Sequence, residues 1–280
     1  MKKVISNIQG TRFGNHLYFY LFANKNKDVF IEYVEDMEYW NQYFPQLNNL
    51  IIKKNFQNLE VVQPNKTFFQ NYGQDFSGED LRVFIDEFLK NDLLNLLKSK
   101  NSSFDCIINI RRGDFYTSEH RYLYGFDQVR YVEDCLLQMS LDSNASIAII
   151  SDDIDWCEEN LLILTERFQN VEFLRLSPID AFLECINAKQ LIITNSTFSY
   201  WAAYLNTYLA PEHAIFAPNY NTNKIKNGKQ ISAQENWVLV PVTAYRSLIF
   251  ESKLKLHQNL REVKNFLKGF YSTINGKRKY

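Results

Sequence analysis

The apolar positions of this chain fall in short blocks separated by polar turns. Residues 4–8 read as a strand, Gly10-Thr11-Arg12-Phe13-Gly14-Asn15 as a turn, and residues 16–24 as an aromatic-rich helix. Strand, glycine turn and helix in that order open one half of a nucleotide-binding fold. Residues 28–34 predict a second strand. Residues 80–97 predict a helix with acids early and Lys98 and Lys100 late, as the helix dipole favours. Further on, residues 104–110, 146–150 and 190–194 are near-continuous apolar strands, each followed by polar residues and a helical pattern. Strands apolar throughout suit a parallel sheet covered on both faces, which makes the expected class α/β. In such sheets ligands bind beyond the carboxyl ends of the strands, so the residues after each strand are the ones to read for chemistry. The polar stretch 98–103 is the expected boundary between two halves.

Composition narrows the classes. The 280 residues are 46% hydrophobic, with 9 Gly, 6 Pro and 22 Phe, 17 Tyr and 4 Trp, which excludes disordered and collagen-like chains. Cys106, Cys135, Cys157 and Cys185 form no C-x-x-C pair and have no histidine cluster nearby, so buried free thiols are expected rather than a zinc site or a disulfide framework. No apolar stretch is long enough to span a membrane and the first residues carry no secretory hydrophobic region, so a cytoplasmic location is expected.

Formal net charge is −1, but residues 253–280 hold eight Lys/Arg against one acid, Glu262. In that tail Leu256, Leu260, Val263, Leu267 and Phe270 recur at steps of four and three, an apolar helical stripe among cations. Two readings are level: a charged surface helix packed on the body, or a basic helix lying on the anionic inner-membrane surface near a lipid-linked glycan. Nucleic acid is excluded as a partner, because positive charge is confined to this segment and no recognition motif accompanies it.

Three constellations follow the apolar strands. After the first comes Asn109-Ile110-Arg111-Arg112-Gly113-Asp114-Phe115, where adjacent guanidiniums need an anionic ligand or an acidic neighbour. After the second comes Ser151-Asp152-Asp153-Ile154-Asp155-Trp156, readable as helix capping or as a metal-binding Asp-x-Asp. After the third comes Asn195-Ser196-Thr197-Phe198-Ser199, a hydroxyl-rich turn into a helix whose N–H groups and three hydroxyls could cradle phosphate oxygens.

In this order the three constellations resemble the motifs of the α-1,2-fucosyltransferases of bacterial type, glycosyltransferase family 11. The segment Gly10-Thr11-Arg12-Phe13-Gly14-Asn15-His16-Leu17 is similar to that family's N-terminal glycine motif, and Pro218 and Trp237 fall where the family has a late Pro and Trp. The resemblance implies a GT-B fold, two Rossmann-like domains facing across a cleft. Residues 1–102 would form the acceptor side, residues 103–250 the donor domain, and residues 251–280 the basic tail.

It further implies GDP-β-L-fucose as donor, a galactoside-containing glycan as acceptor, inversion to an α-fucoside, and no metal or other cofactor. The donor contacts it implies are Asn109, Arg111, Arg112, Asp152, Asp153, Asn195, Ser196, Thr197, Phe198 and Ser199, with Gly14, Asn15 and His16 on the acceptor side. Asn109 stands where the family usually has His, and His16 where it usually has Gln, which leaves a related donor such as GDP-colitose open.

Arg111 is then expected on the β-phosphate as leaving-group stabiliser, with Arg112 assisting it or anchoring the loop through Asp114. Asn15 would orient the acceptor hydroxyl, and Glu119, Asp114 and His16 are the candidate bases. Two rivals stand beside this reading. One is a metal-dependent GT-A transferase using Asp153 and Asp155, and the other is a non-catalytic module that binds a GDP-sugar or glycan.

Overall fold

A computed structural model of the protein describes residues 2–7, 10–53, 59–98, 100, 104–118, 120–165, 167–245 and 263. The first half runs β1 (Lys3–Ile5), α1 (Phe13–Lys25), β2 (Val29–Glu32), α2 (Met37–Asn41), β3 (Ile51–Ile52), β4 (Glu60–Val62), α3 (Gly78–Phe88) and α4 (Lys90–Leu97). The second runs β5 (Cys106–Ile110), α5 (Gly113–Thr117), α6 (Arg121–Tyr124), α7 (Gln128–Gln138), β6 (Ser146–Ser151), α8 (Ile154–Thr165) and β7 (Asn170–Leu174). It continues through α9 (Pro178–Asn187), β8 (Gln190–Ile193), α10 (Thr197–Leu209), β9 (Ala214–Pro218) and β10 (Val238–Val240).

The strands form two wholly parallel sheets, ordered β3-β2-β1-β4 and β10-β9-β8-β5-β6-β7. Counted from β5, the larger sheet has the doubly wound order 3-2-1-4-5-6, and the smaller has the first four places of the same order. The molecule is therefore α/β, with two Rossmann-type parallel sheets.

Burial explains why the second half was easier to read. All five residues of β5 are buried, and they alternate between two cores: Ile107 faces one, while Cys106, Ile108 and Ile110 face the other. The first core spans both sheets, joining Ile5, Leu17 and Ile31 to Ile107, Ile193 and Trp201. Its middle is aromatic. α1 packs on α10 through Tyr18, whose ring lies 5.2 Å from Trp201 at 61° and whose hydroxyl is 3.1 Å from that of Tyr204. Phe13 stacks on Trp40 at 3.7 Å and meets Phe182 edge-on at 5.5 Å.

Local signals set the helix starts. Ser77 and Asp80 cap α3 reciprocally, Asp127 caps α7, and Ser177 with Pro178 opens α9. The helix expected over 80–97 is two helices, because the backbone turns at Leu89 (φ −122°, ψ −37°), and Leu89 and Leu93 both enter the core. The four cysteines are free and buried, and burial raises their thiol pKa values, Cys106 and Cys157 to about 12. Among the described residues no helix is long and apolar enough to cross a membrane. The tail expected over 251–280 lies outside the described residues except for Val263, as do residue 99 and residues 101–103 of the expected boundary.

Candidate active site

β5 and β8 are neighbours whose following crossovers leave in opposite directions, and both adjacent carboxyl ends carry expected motifs. The backbone N–H of Arg111 donates to Thr194 Oγ1 at 3.0 Å, and Thr194 Oγ1 in turn lies 3.4 Å from the Asn109 carbonyl. Ser199 Oγ donates to Asn109 Oδ1 at 2.5 Å. The arginine motif and the hydroxyl motif are thereby fastened to each other across the switch point.

The two arginines have different surroundings. Arg111 pairs with Asp114 at 2.6 Å and Asp152 at 2.8 Å while its side chain stays 34% exposed. Arg112 is only 14% exposed. Its guanidinium lies 4.1 Å from the Tyr116 ring centroid and 3.6 Å from that of Trp156, donates to Gln128 Oε1 at 3.2 Å, and pairs with Asp153 at 3.8 Å. Burial lowers its pKa from the ordinary value.

Arg112 therefore anchors the loop, but not through Asp114 as expected. Asp114 stands three residues after Arg111 on α5 and pairs with that residue, whereas Arg112 turns inward to Gln128, Asp153 and the two rings. Asp152 holds the loop from below, accepting the Arg112 N–H at 2.7 Å. Gly113 (φ +20°) permits this approach, since a Cβ there would run into the Asp152 carboxylate.

Asp153 and Asp155 face different partners. Asp153 Oδ1 accepts the Trp156 N–H at 3.3 Å at the start of α8, and Asp155 pairs with Arg175 at 2.5 Å. Asp153 thus fits the capping reading, whereas Asp155 makes a surface ion pair instead. Among the described residues no group of three or more His, Cys, Asp or Glu is placed to hold a metal ion.

Of the three hydroxyls expected in the cradle, Ser199 is fully buried against Asn109, so the end of the turn at Ser196 and Thr197 carries the remaining two. Phe198 packs against Phe182 at 5.1 Å. Asn195 is 5% exposed and ties loops together, donating to the carbonyls of Tyr124 and Asn221 at 2.8 Å each.

The glycine motif joins this edge through Gly14. A Cβ on Gly14 would stand 2.5 Å from the Thr197 carbonyl carbon and 2.6 Å from the Phe198 nitrogen, so the first turns of α1 and α10 meet backbone to backbone. Asn15 follows, half-buried, with Oδ1 accepting from Gln70 Nε2 at 3.2 Å. His16 is 1% exposed; its Nε2 is 3.3 Å from Thr11 Oγ1 and its Nδ1 has no hydrogen-bond partner. Burial lowers its pKa to about 4, which leaves a neutral, weakly basic ring shut away from solvent. Glu119 lies outside the described residues.

Sequence reasoning quoted Trp156 in its motif without a role and passed over Thr194, Gln128, Tyr116 and Gln70. A polar residue closing an apolar strand marks Thr194, and a glutamine on the apolar face of α7 marks Gln128. Nothing local marks the others.

The family described as Glycosyl transferase family 11 matches residues 24–241. Alpha-1,2-colitosyltransferase of Escherichia coli is 31% identical over 121 residues, 42% of this chain and 40% of that protein. The O-antigen biosynthesis glycosyltransferase WbnK of Escherichia coli is 33% identical over 110 residues, 36% of this chain and 34% of that protein. In both cases the matched stretch is well under half of the relative's length. Among solved structures, E. coli heptosyltransferase WaaC with ADP aligns over 86% of this chain and 93% of that one, at TM-score 0.41 and 9% identity. The glycine motif at 10–16 precedes the family match.

Proposed function

The chain belongs to glycosyl transferase family 11, and we propose that it moves L-fucose from GDP-β-L-fucose to the 2-hydroxyl of a galactoside-type acceptor, with inversion and without a metal ion. The names of its relatives favour bacterial O-antigen assembly as the setting. The basic tail of residues 251–280 is the element that would hold the enzyme near a lipid-linked glycan at an anionic membrane surface. The observation that carries the reading is the convergence of four motifs, distant in sequence, at one carboxyl edge. Arg111 reaches Asp152 and Thr194, Asn109 reaches Ser199, and Gly14 touches Thr197.

In the reaction the bond from the sugar C1 to the diphosphate oxygen breaks while the acceptor oxygen bonds C1 from the opposite face. Negative charge collects on the departing diphosphate. Arg111 and the N–H groups of the first turn of α10, with Ser196 and Thr197, are the groups that neutralise it. Asn15 orients the acceptor hydroxyl. Asp114, 59% exposed beside Arg111, is the carboxylate at this edge that can take the hydroxyl proton, whereas His16 is too deeply buried and too weak a base.

One second reading has an observation of its own: the colitosyltransferase relative favours GDP-colitose as the donor. A screen of both GDP-sugars against lacto-type oligosaccharides, read by mass spectrometry with and without EDTA, separates them. The Arg111→Ala variant is expected to lose about 10²- to 10³-fold in turnover, the usual cost of one such donor. Near wild-type turnover in that variant, or activity abolished by EDTA and restored by Mn²⁺, would overturn the reading.

A further inference from the structure

Gln70 is fixed from α1 and from the loop between β9 and β10, and the way it is fixed is costly. It follows Phe68 (φ +53°) and Phe69 (φ +60°), two bulky residues in the left-handed region, where a side chain crowds its own backbone. Such strain persists only where the surroundings over-determine it. Here Asn65 Oδ1 accepts the N–H groups of Thr67 at 3.0 Å and Phe69 at 2.9 Å, while the Phe69 ring stacks on Phe22 of α1 at 3.9 Å and 19°. Asp75 closes the loop, accepting from Asn65 Nδ2 and from the Asn71 N–H at 2.9 Å each.

The far side of the loop is tied to the segment that links β9 to β10. The Gln70 carbonyl accepts from Ser232 Oγ at 3.1 Å, and the Tyr72 N–H donates to the Ile231 carbonyl at 2.8 Å. Gln230 Oε1 accepts the N–H groups of Ile231 and Ser232 at 2.9 Å each, and its Nε2 donates to Tyr200 of α10 at 2.8 Å. The chain of bonds continues through Asn221, whose Nδ2 is 3.5 Å from the Tyr200 hydroxyl, to Asn195. What this bracing delivers is one contact: Gln70 Nε2 on Asn15 Oδ1 at 3.2 Å.

We propose that Gln70 is a positioning residue: by donating to Oδ1 it sets which way the Asn15 amide faces and leaves the Asn15 N–H₂ group for the acceptor hydroxyl. The inference rests on the reading of Asn15 as the residue that orients the acceptor. A glutamine here can donate, whereas a carboxylate of the same shape can only accept and would draw the Asn15 N–H₂ toward itself. The polarity of this one hydrogen bond is therefore what fixes the acceptor.

Gln70→Glu tests polarity with little change of volume, and Asn15→Ala and the double variant complete a cycle. GDP affinity is read by calorimetry, folding by thermal melting, and turnover by GDP release from the preferred GDP-sugar with an acceptor. We expect Gln70→Glu to lower kcat by about 10²-fold, the effect of a small misplacement at a reacting group. GDP affinity, donor KM and melting temperature should stay unchanged, and the substitution should cost nothing further in the Asn15→Ala background. Wild-type kcat in Gln70→Glu beside an impaired Asn15→Ala overturns the inference, and so does a loss that follows GDP affinity or melting, or one fully additive with Asn15→Ala. Wild-type turnover in Asn15→Ala is a separate result, which removes the acceptor role of Asn15 and with it the purpose assigned to Gln70.

Discussion

The contact between the first turns of α1 and α10 can be tested with one methyl group. In Gly14→Ala the new Cβ would sit 2.5 Å from the Thr197 carbonyl carbon and 2.6 Å from both the Phe198 nitrogen and Thr197 Oγ1. Ordinary contact begins near 3.4 Å, so the two helix starts must separate by about 0.9 Å, and two of the three obstructing atoms are backbone that no rotamer change can move. Overpacking of this kind costs about 1–3 kcal/mol. The gain in helix propensity from replacing glycine is at most about 1 kcal/mol and is smaller in a first turn. The net expectation is a destabilisation of about 1–2 kcal/mol, or a melting temperature lower by about 2–8 °C. Displacing Thr197 and Phe198 by nearly an ångström should also cost about 10²-fold in turnover. Gly78→Ala is the control. Gly78 also begins a helix, but its new Cβ would meet only the end of the Tyr72 side chain, at 2.9 Å from the hydroxyl, which can move aside. Thermal melts of both variants with GDP-release assays decide the matter. A Gly14→Ala enzyme that melts no lower than Gly78→Ala and turns over normally would show that these helix starts do not touch.

Two further outcomes follow from burial. Removing the Arg112 guanidinium from between Tyr116 and Trp156 should destabilise the fold by about 2–4 kcal/mol in urea unfolding, and Arg112→Lys should not restore it, because an ammonium neither stacks nor bridges Gln128 and Asp153; an Arg112→Ala protein as stable as wild type would refute the anchoring role. His16 titrates at about 4 when folded against an ordinary 6.5, so the unfolded chain takes up that proton first. Its contribution is complete above pH 6.5 and declines as pH falls toward 4, reaching a loss of about 2–3 kcal/mol at pH 4.5. Unfolding free energies of wild type and His16→Gln at pH 7 and pH 4.5 should diverge by that amount, and parallel curves would count against a neutral buried ring.

Legibility followed burial and length. The strands β5, β6 and β8 were readable because each is a run of four to six residues, mostly apolar on both faces. β3 has two residues and β4 and β10 three each, partly exposed, too short for any periodicity to rise above the loops around them. β7 is edge-like, with no fully buried position, and passed for polar chain. At the candidate site, the rule that ligands gather beyond the strand ends pointed to Arg111, Asp152 and Ser196. It could not assign partners, because Arg112 finds its aromatic ring Trp156 and its acid Asp153 only after β6 pairs with β5. His16 stood among the candidate bases because nothing in its sequence position at the start of a helix shows its burial, which is a property of how α1 packs. Gln70 had no local signal at all, since its partners Asn15 and Ser232 are 55 and 162 residues away.

The charge balance around Arg111 constrains how a donor could enter. Two guanidiniums there face three carboxylates, Asp114, Asp152 and Asp153, so on the proposed reading a diphosphate arrives at a locus with no excess positive charge. Arg112 is committed to the aromatic sandwich and cannot turn outward without unpacking it. On the proposed reading Arg111 is then the guanidinium that exchanges a partner, and its two partners are unequal. Asp152 is 28% exposed and also holds the Arg112 N–H, whereas Asp114 is 59% exposed and sits on a helix of five residues. An exposed pair of the second kind is worth about 0–1 kcal/mol, less than a bidentate contact with a phosphate returns. On the proposed reading the donor thus displaces Asp114 and keeps Asp152. That exchange leaves Asp114 as an unpaired carboxylate at the same edge, so donor binding itself prepares the group that takes the acceptor proton, and the donor must bind before the acceptor can react.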